Sequence, residues 1–182
     1  KAQLLEKLGR ATDATAVMKQ AMTFGNMQDL HQYGRQLLQL KKAKEALDVF
    51  KQNHANNPNQ FTTLMGLVRG YSATADYKNA LKDYDKVIFL SPSNILAYYN
   101  RAAIFNQLKK YKESLADVEQ AIAIYPDFVD GYKLRSNIYR QLGNISKAET
   151  DLETAQLINR TKSNATDSLK QVEEEFLARL TS

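Results

Sequence analysis

Residues 61–94, FTTLMGLVRGYSATADYKNALKDYDKVIFLSPSN, and residues 95–128, ILAYYNRAAIFNQLKKYKESLADVEQAIAIYPDF, are two passes through one pattern. Each carries a proline near its end, Pro92 and Pro126, and Pro58 stands one step earlier. These are the only three prolines of the chain, and they lie 34 residues apart. A fixed period of this length marks a stack of similar supersecondary units rather than one globular core. Such stacks are surfaces for holding other proteins, so the period bears on function before any single residue does.

Corresponding residues agree in chemistry as well as in spacing. The first large residue of each unit is Leu30, Leu64, Tyr98 and Tyr132, and a second follows at Leu37, Tyr71, Phe105 and Tyr139. Small residues then recur at Ala46, Ala80, Ser114 and Ala148, each followed one helical turn later by Phe50, Tyr84, Val118 and Leu152. Spacings of three, four and seven place these side chains on one helix face, and a second helix follows after a short polar turn. The small residue lets the two helices approach closely while the large ones fill the neighbour's groove. Proline just past the second helix cannot continue it and sets the turn into the next unit.

This pattern resembles the tetratricopeptide repeat. The resemblance implies an all-α, right-handed solenoid of helix-turn-helix repeats that acts as a non-catalytic protein-interaction module. It covers four complete units, at 27–60, 61–94, 95–128 and 129–162. The departures are mild. The early tryptophan of the family is absent, the glycine of the first helix survives only as Gly34, with Val68, Ala102 and Ser136 in its place, and Arg160 replaces the last proline.

Before residue 27 the register continues as a partial repeat over 1–26. Leu8-Gly9-Arg10 resembles an inter-helix turn, and Ala14, Met18 and Ala21 match the face of a second helix. A chain that opens on Lys1 inside a repeat is expected to be a fragment, a processed chain or an engineered one. At the other end, residues 163–182 carry Leu169, Val172, Phe176, Leu177 and Leu180 at helical spacing, with Glu173, Glu174 and Glu175 between. The expectation is a C-terminal capping helix whose apolar side covers the last repeat, with a partner-binding helix as the alternative.

No apolar run approaches the length of a membrane span and no basic-then-apolar leader is visible. The expectation is a soluble chain, cytoplasmic or periplasmic, with no membrane partner. The absence of cysteine removes disulfides and thiolate metal sites. His31 and His54 fall in different helices of one unit without a carboxylate cluster, so no metal and no cofactor are expected. No phosphate-cradling glycine loop, no nucleophile beside a base and no facing pair of acids is present, so no catalytic residue is assigned.

The net charge of +5 is uneven: residues 1–94 hold 13 Lys and Arg against 8 Asp and Glu, and residues 95–182 hold 12 of each. The basic excess therefore belongs to the first half, where it would draw acidic partners. Its residues are scattered rather than striped, and the aromatics sit at core positions, so nucleic-acid binding is not expected.

In the tetratricopeptide family the first helix of each unit lines the concave face. By that resemblance the peptide-binding positions are His31, Gln32, Arg35 and Gln39, then Met65, Arg69 and Ser72, then Tyr99, Asn100, Asn106 and Gln107, then Lys133, Asn137, Arg140 and Gln141. The set is rich in amides and cations and holds no carboxylate. Amides read peptide backbone and cations favour acidic or C-terminal carboxylates, which points to an extended peptide or partner helix with acidic character. A monomer with weak self-association is expected. Tyr98-Tyr99-Asn100-Arg101-Ala102-Ala103 also resembles the segment of co-chaperone domains that grips a chaperone's C-terminal carboxylate. That clamp needs flanking Lys, Asn and Arg, and this chain offers Met65, Arg69, Asp130 and Leu134 instead. A chaperone clamp is therefore rejected.

Two styles of repeat share the chain. Up to about Leu81, segments such as His31-Gln32-Tyr33-Gly34-Arg35 resemble the helical tail of uncharacterised bacterial proteins. From about Asp83, Tyr84-Asp85-Lys86-Val87 and its successors resemble bacterial tandem repeat arrays. Natural drift accounts for this, and so does a recombined fusion serving as a scaffold with no selected ligand.

Overall fold

The structure, a computed structural model, describes residues 25–181; the partial repeat read over 1–26 lies almost wholly outside them. The described residues form eight helices and no strand: α1 Met27–Gln39, α2 Ala43–Asn56, α3 Phe61–Ala73, α4 Tyr77–Leu90, α5 Ile95–Gln107, α6 Tyr111–Ile124, α7 Val129–Gln141 and α8 Ile145–Thr181. They fall into two compact units divided between Pro92 and Ser93. In the first, α1 to α4 pack each on the next and α1 also touches α3; in the second, α5 to α8 do the same, with α5 touching α7.

The sequence explains where helices start and stop. Asn26 caps α1, accepting from the backbone of Gln28 and Asp29 while the Asp29 carboxylate accepts from the Asn26 amide, a reciprocal capping box. Asp76 and Asn94 cap α4 and α5 through their side chains. Between the two helices of each repeat one residue adopts a left-handed backbone: Lys41, Ala75 and Lys109 at φ 58° and Gly143 at φ 77°. Each time, the next amide donates back to the carbonyl five residues earlier. Lys42 donates to Leu37 at 2.8 Å, Asp76 to Tyr71 at 2.9 Å, Lys110 to Phe105 at 2.8 Å and Asn144 to Tyr139 at 2.8 Å. This closure satisfies orphan carbonyls at the end of the first helix. It recurs even where the residue is not glycine.

The four small residues sit where the helices cross. Ala46, Ala80, Ser114 and Ala148 are all fully buried. In the second unit the crossing is also hydrogen-bonded: the Ser114 hydroxyl donates to the Ala102 carbonyl at 2.6 Å, and the Ser136 hydroxyl to the Ala148 carbonyl at 2.8 Å. The donor comes from the second helix in one repeat and from the first helix in the next.

The two units fill their cores differently. In the first, the Phe50 ring occupies a slot between glycines. A Cβ on Gly34 would stand 2.5 Å from Phe50 Cζ, one on Gly66 2.5 Å from Cδ1, and one on Gly70 2.9 Å from a Leu47 methyl. Leu30, Leu37, Leu64 and Val68 complete this core. Asn53 is fully buried and donates to the Met27 carbonyl at 2.9 Å, tying α2 to the start of α1. In the second unit Ala102, Val118, Ile122 and Ile138 form the centre, with Tyr111, Leu115, Tyr132 and Leu134 around them. Two bidentate pairs brace it: Arg101 with Asp117, both bonds 2.7 Å, and Arg135 with Asp151, both 2.8 Å.

The same acidic position exists in the first unit without its arginine. Asp83 is buried, Leu67 stands where the arginine would be, and Lys86 lies 3.6 Å away on the helix surface. Burial holds the Asp83 carboxyl above its ordinary range, with Lys86 opposing. The folded unit therefore binds that proton more tightly than the unfolded chain does. Stability is greatest below the ordinary carboxylate range and falls as pH rises through the raised folded value. Asp83→Asn should raise the melting temperature at pH 7 by a few degrees and lose the advantage near pH 3. Calorimetry at the two pH values checks it, and a variant destabilised at pH 7 would contradict it.

The expected capping helix over 163–182 takes another form. Ile145–Thr181 is one helix of 37 residues, the second helix of the last repeat prolonged without a break. From Ile145 to Thr181 there is no glycine or proline to stop it, and the hydroxyls of Thr161, Thr166 and Ser168 bond the carbonyls four residues back. Every side chain from Asn159 to Arg179 is exposed, including Leu169, Val172, Phe176 and Leu177. The apolar stripe read from the sequence is present, but it is not folded back over the repeat.

Candidate functional site

The residues assigned to binding divide between the two units. In the first unit, His31, Gln32, Arg35 and Gln39 project from α1 and Met65, Arg69 and Ser72 from α3. Arg35, Gln39 and Arg69 are exposed, and the others are partly buried. The Ser72 hydroxyl is turned inward and donates to the Val68 carbonyl at 2.6 Å. His31 lies tilted against the Phe50 ring, with centroids 5.8 Å apart, and its Nδ1 is enclosed with no hydrogen-bond partner. Its pKa lies below the ordinary imidazole value, first because the ring is desolvated, then because of the charge of Arg69 and of Arg35. Among the described residues no carboxylate is among the charges acting on it. Two helices thus bring three nitrogen side chains to one place: His31 and Arg35 one turn apart on α1, and Arg69 from α3.

In the second unit, Tyr99, Asn100 and Asn106 on α5 are partly buried, while Gln107 on α5 and Lys133, Asn137, Arg140 and Gln141 on α7 are exposed. Asn106 donates to the Asn137 side-chain oxygen at 3.2 Å, which leaves the Asn106 oxygen enclosed and unpartnered. Tyr99 meets Phe128 edge-on at 5.3 Å. Its hydroxyl titrates above the ordinary range, through burial and then through the charge of Asp130. An acid therefore stands beside this face, although the residues assigned from the sequence included none. Arg101 and Arg135, the other cations of the first helices here, are spent on Asp117 and Asp151. The face of the first unit is cationic, and that of the second is amide-rich and mixed.

A cavity of about 380 Å³ in the first unit lies elsewhere, lined by Asn59, Leu64, Asp85, Lys86, Phe89 and Leu90. It holds none of the assigned residues. Among the described residues no group of three His, Asp or Glu side chains converges to hold a metal ion, and no helix is long and apolar enough to cross a membrane. His54 is engaged by the Thr63 hydroxyl at 3.2 Å.

The tetratricopeptide repeat pattern matches residues 95–128 and again residues 130–162. The second unit therefore holds two consecutive matches to the tetratricopeptide repeat. No curated protein matches its sequence. Its fold is similar to a crystal structure of MamA, with a TM-score of 0.79 at 16% identity over 90% of this chain and 96% of that one. It is also similar to MamA from Desulfovibrio magneticus RS-1, residues 41 to the end, with a TM-score of 0.78 at 18% identity over 88% and 92% of the two chains. At such identities the likeness describes the fold.

Sequence reading missed the slot that supports the cationic face. Gly66 and Gly70 look like ordinary helix glycines until Phe50 is seen between them and Gly34. The two Arg–Asp pairs carried a readable signal, since Arg101 and Arg135 and Asp117 and Asp151 each recur at the repeat period.

Proposed function

We propose that this protein is a non-catalytic module that holds an extended, acidic segment of another protein against the first helices of its repeats. The observation that carries the reading is the pair of exposed cations Arg35 and Arg69 gathered about His31, whose imidazole feels their charge and, among the described residues, that of no carboxylate. A protein gains little by gathering like charges unless something outside compensates them. The amides of Asn106 and Asn137 suit a peptide backbone, which presents a donor and an acceptor at every residue.

Because Arg35 and Arg69 are exposed, replacing them spares the core. Arg35→Glu with Arg69→Glu should weaken an acidic peptide by at least about tenfold, equivalent to about 1.4 kcal/mol, with helical circular dichroism unchanged. The loss should shrink as salt is added, since exposed charges are screened. Fluorescence anisotropy against a library of acidic peptides measures it. A second reading, a scaffold recombined from two natural fragments, is favoured by the change of core style between the units, because both family matches lie in the second. Under that reading the parent chain binds no member of the library at concentrations up to about a millimolar.

A further inference from the structure

We propose that His31, Arg35 and Arg69 form one carboxylate-binding subsite whose occupancy is linked to protonation of His31. The proposal deepens the peptide-binding reading and rests on it for the source of the carboxylate.

The geometry carries it as follows. Arg35 stands one turn from His31 on α1, and Arg69 comes from α3, which is held close to α1 because Gly34 and Gly66 both close on Phe50. From α2 the group facing His31 is the Phe50 ring, which is uncharged. The histidine of α2, His54, is engaged by Thr63. Among the described residues the charges acting on His31 are thus two guanidiniums and no carboxylate, and its enclosed Nδ1 has no hydrogen-bond partner. Nothing on these helices stabilises an imidazolium. Desolvation and the two arginines hold the ring neutral at pH 7.

A carboxylate seated between Arg35 and Arg69 would offset the two arginine charges that add to desolvation in holding His31 neutral. Binding the anion therefore raises the proton affinity of His31, and by reciprocity a proton on His31 tightens the anion. Affinity should rise as pH falls from 7.5 to 5.5, a range in which Asp, Glu and C-terminal carboxylates stay ionised. The cluster so becomes a proton-sensitive grip rather than a fixed positive patch.

The intact chain allows a direct test, because it has two histidines and one of them serves as a reference. The imidazole proton resonances of His31 and His54 are followed against pH, first alone, then with sodium acetate. The titration is then repeated with three peptides: an amidated one with internal Asp and Glu, a neutral one with a free C-terminus, and a neutral amidated one. The first or second peptide should move the His31 titration upward, leave His54 in place, and bind about fivefold more tightly at pH 5.5 than at 7.5. Which of the two does so distinguishes a side-chain carboxylate from a chain terminus. His31→Gln should keep binding but flatten its pH dependence, and Arg69→Gln should weaken binding at both pH values. If a peptide binds while the His31 titration stays put, or if Arg69→Gln changes nothing, the subsite is overturned and the module reading stands. If acetate moves His31 but no peptide binds, the subsite stands and the peptide reading falls. Silence from acetate and peptides alike removes both.

Discussion

Phe50→Ala should cost about 3–5 kcal/mol, in the range for emptying a buried aromatic site, and should unfold the first unit at temperatures where the second still holds. The ring is 1% exposed and enclosed by Gly34, Gly66 and Gly70. With no Cβ on those three positions, nothing nearby can swing in to refill the space. A two-repeat unit has a stability of only several kcal/mol, so the loss should be nearly total. Amide hydrogen exchange should show protection gone from α1 to α4 and kept in α5 to α7. The reverse substitution tests the same slot by its sign. Gly→Ala inside a helix normally stabilises by about 1 kcal/mol, but Gly34→Ala should destabilise, because the added carbon meets Phe50 Cζ at 2.5 Å and overpacking costs about 1–3 kcal/mol. A Gly34→Ala chain that melts higher than the parent would show the slot to be looser than described. The consequence reaches function, since His31 rests on Phe50 and a collapsed slot would scatter the cationic cluster.

The second large effect belongs to the Arg135–Asp151 pair. Arg135→Met should cost about 3 kcal/mol, because it strands a buried carboxylate; the Asp151 side chain is 5% exposed and the Arg135 side chain 21%. The Asp151 carboxylate accepts both hydrogen bonds and holds the Arg135 charge firmly, raising its pKa above the usual arginine value chiefly through those bonds. Lysine is a poor substitute. It cannot reproduce the two parallel bonds of 2.8 Å, and it loses the stacking of the guanidinium over Tyr132 and Tyr139. The double variant Arg135→Met with Asp151→Leu should recover to within about 1 kcal/mol of the parent, as buried pairs replaced by apolar residues commonly do. Urea unfolding of the two variants decides the matter. Equal losses in the single and double variants would mean that packing, not charge, holds the site.

Much of this was open to reading in one dimension, because a repeat writes the same constraint several times. Ala46, Ala80, Ser114 and Ala148 are small at one step of the period and all are fully buried. Pro58, Pro92 and Pro126 each fall two residues beyond a second helix. Of the other first-helix positions assigned from the sequence, Arg35, Gln39, Arg69, Gln107, Lys133, Asn137, Arg140 and Gln141 are exposed, while the rest are partly buried.

Other features needed three dimensions. The expected cap over 163–182 was misplaced because an apolar stripe tells only that a helix has a face, not what lies against it; α8 runs on into solvent with Leu169 and Phe176 exposed. Asp130 was read from the sequence only as a mismatch to the carboxylate clamp; that its charge bears on Tyr99, from α7 to α5, depends on the packed helices. Lys41, Ala75 and Lys109 hold a backbone that composition argues against, and only the closing hydrogen bonds explain it.

The amino-acid sequence by itself determined the all-α repeat class, the helix register, the small residues at each crossing and the cationic bias of the first half. All of these follow from local spacing and from chemistry repeated at a fixed step. Tertiary structure alone decided that three glycines on two helices enclose Phe50, that Arg101 and Arg135 are internal braces while Arg35 and Arg69 remain exposed, and that His31 shares its place with both of the latter. Those are relations between side chains distant in the chain. Their energies depend on separation and desolvation, quantities that exist only once the helices have packed.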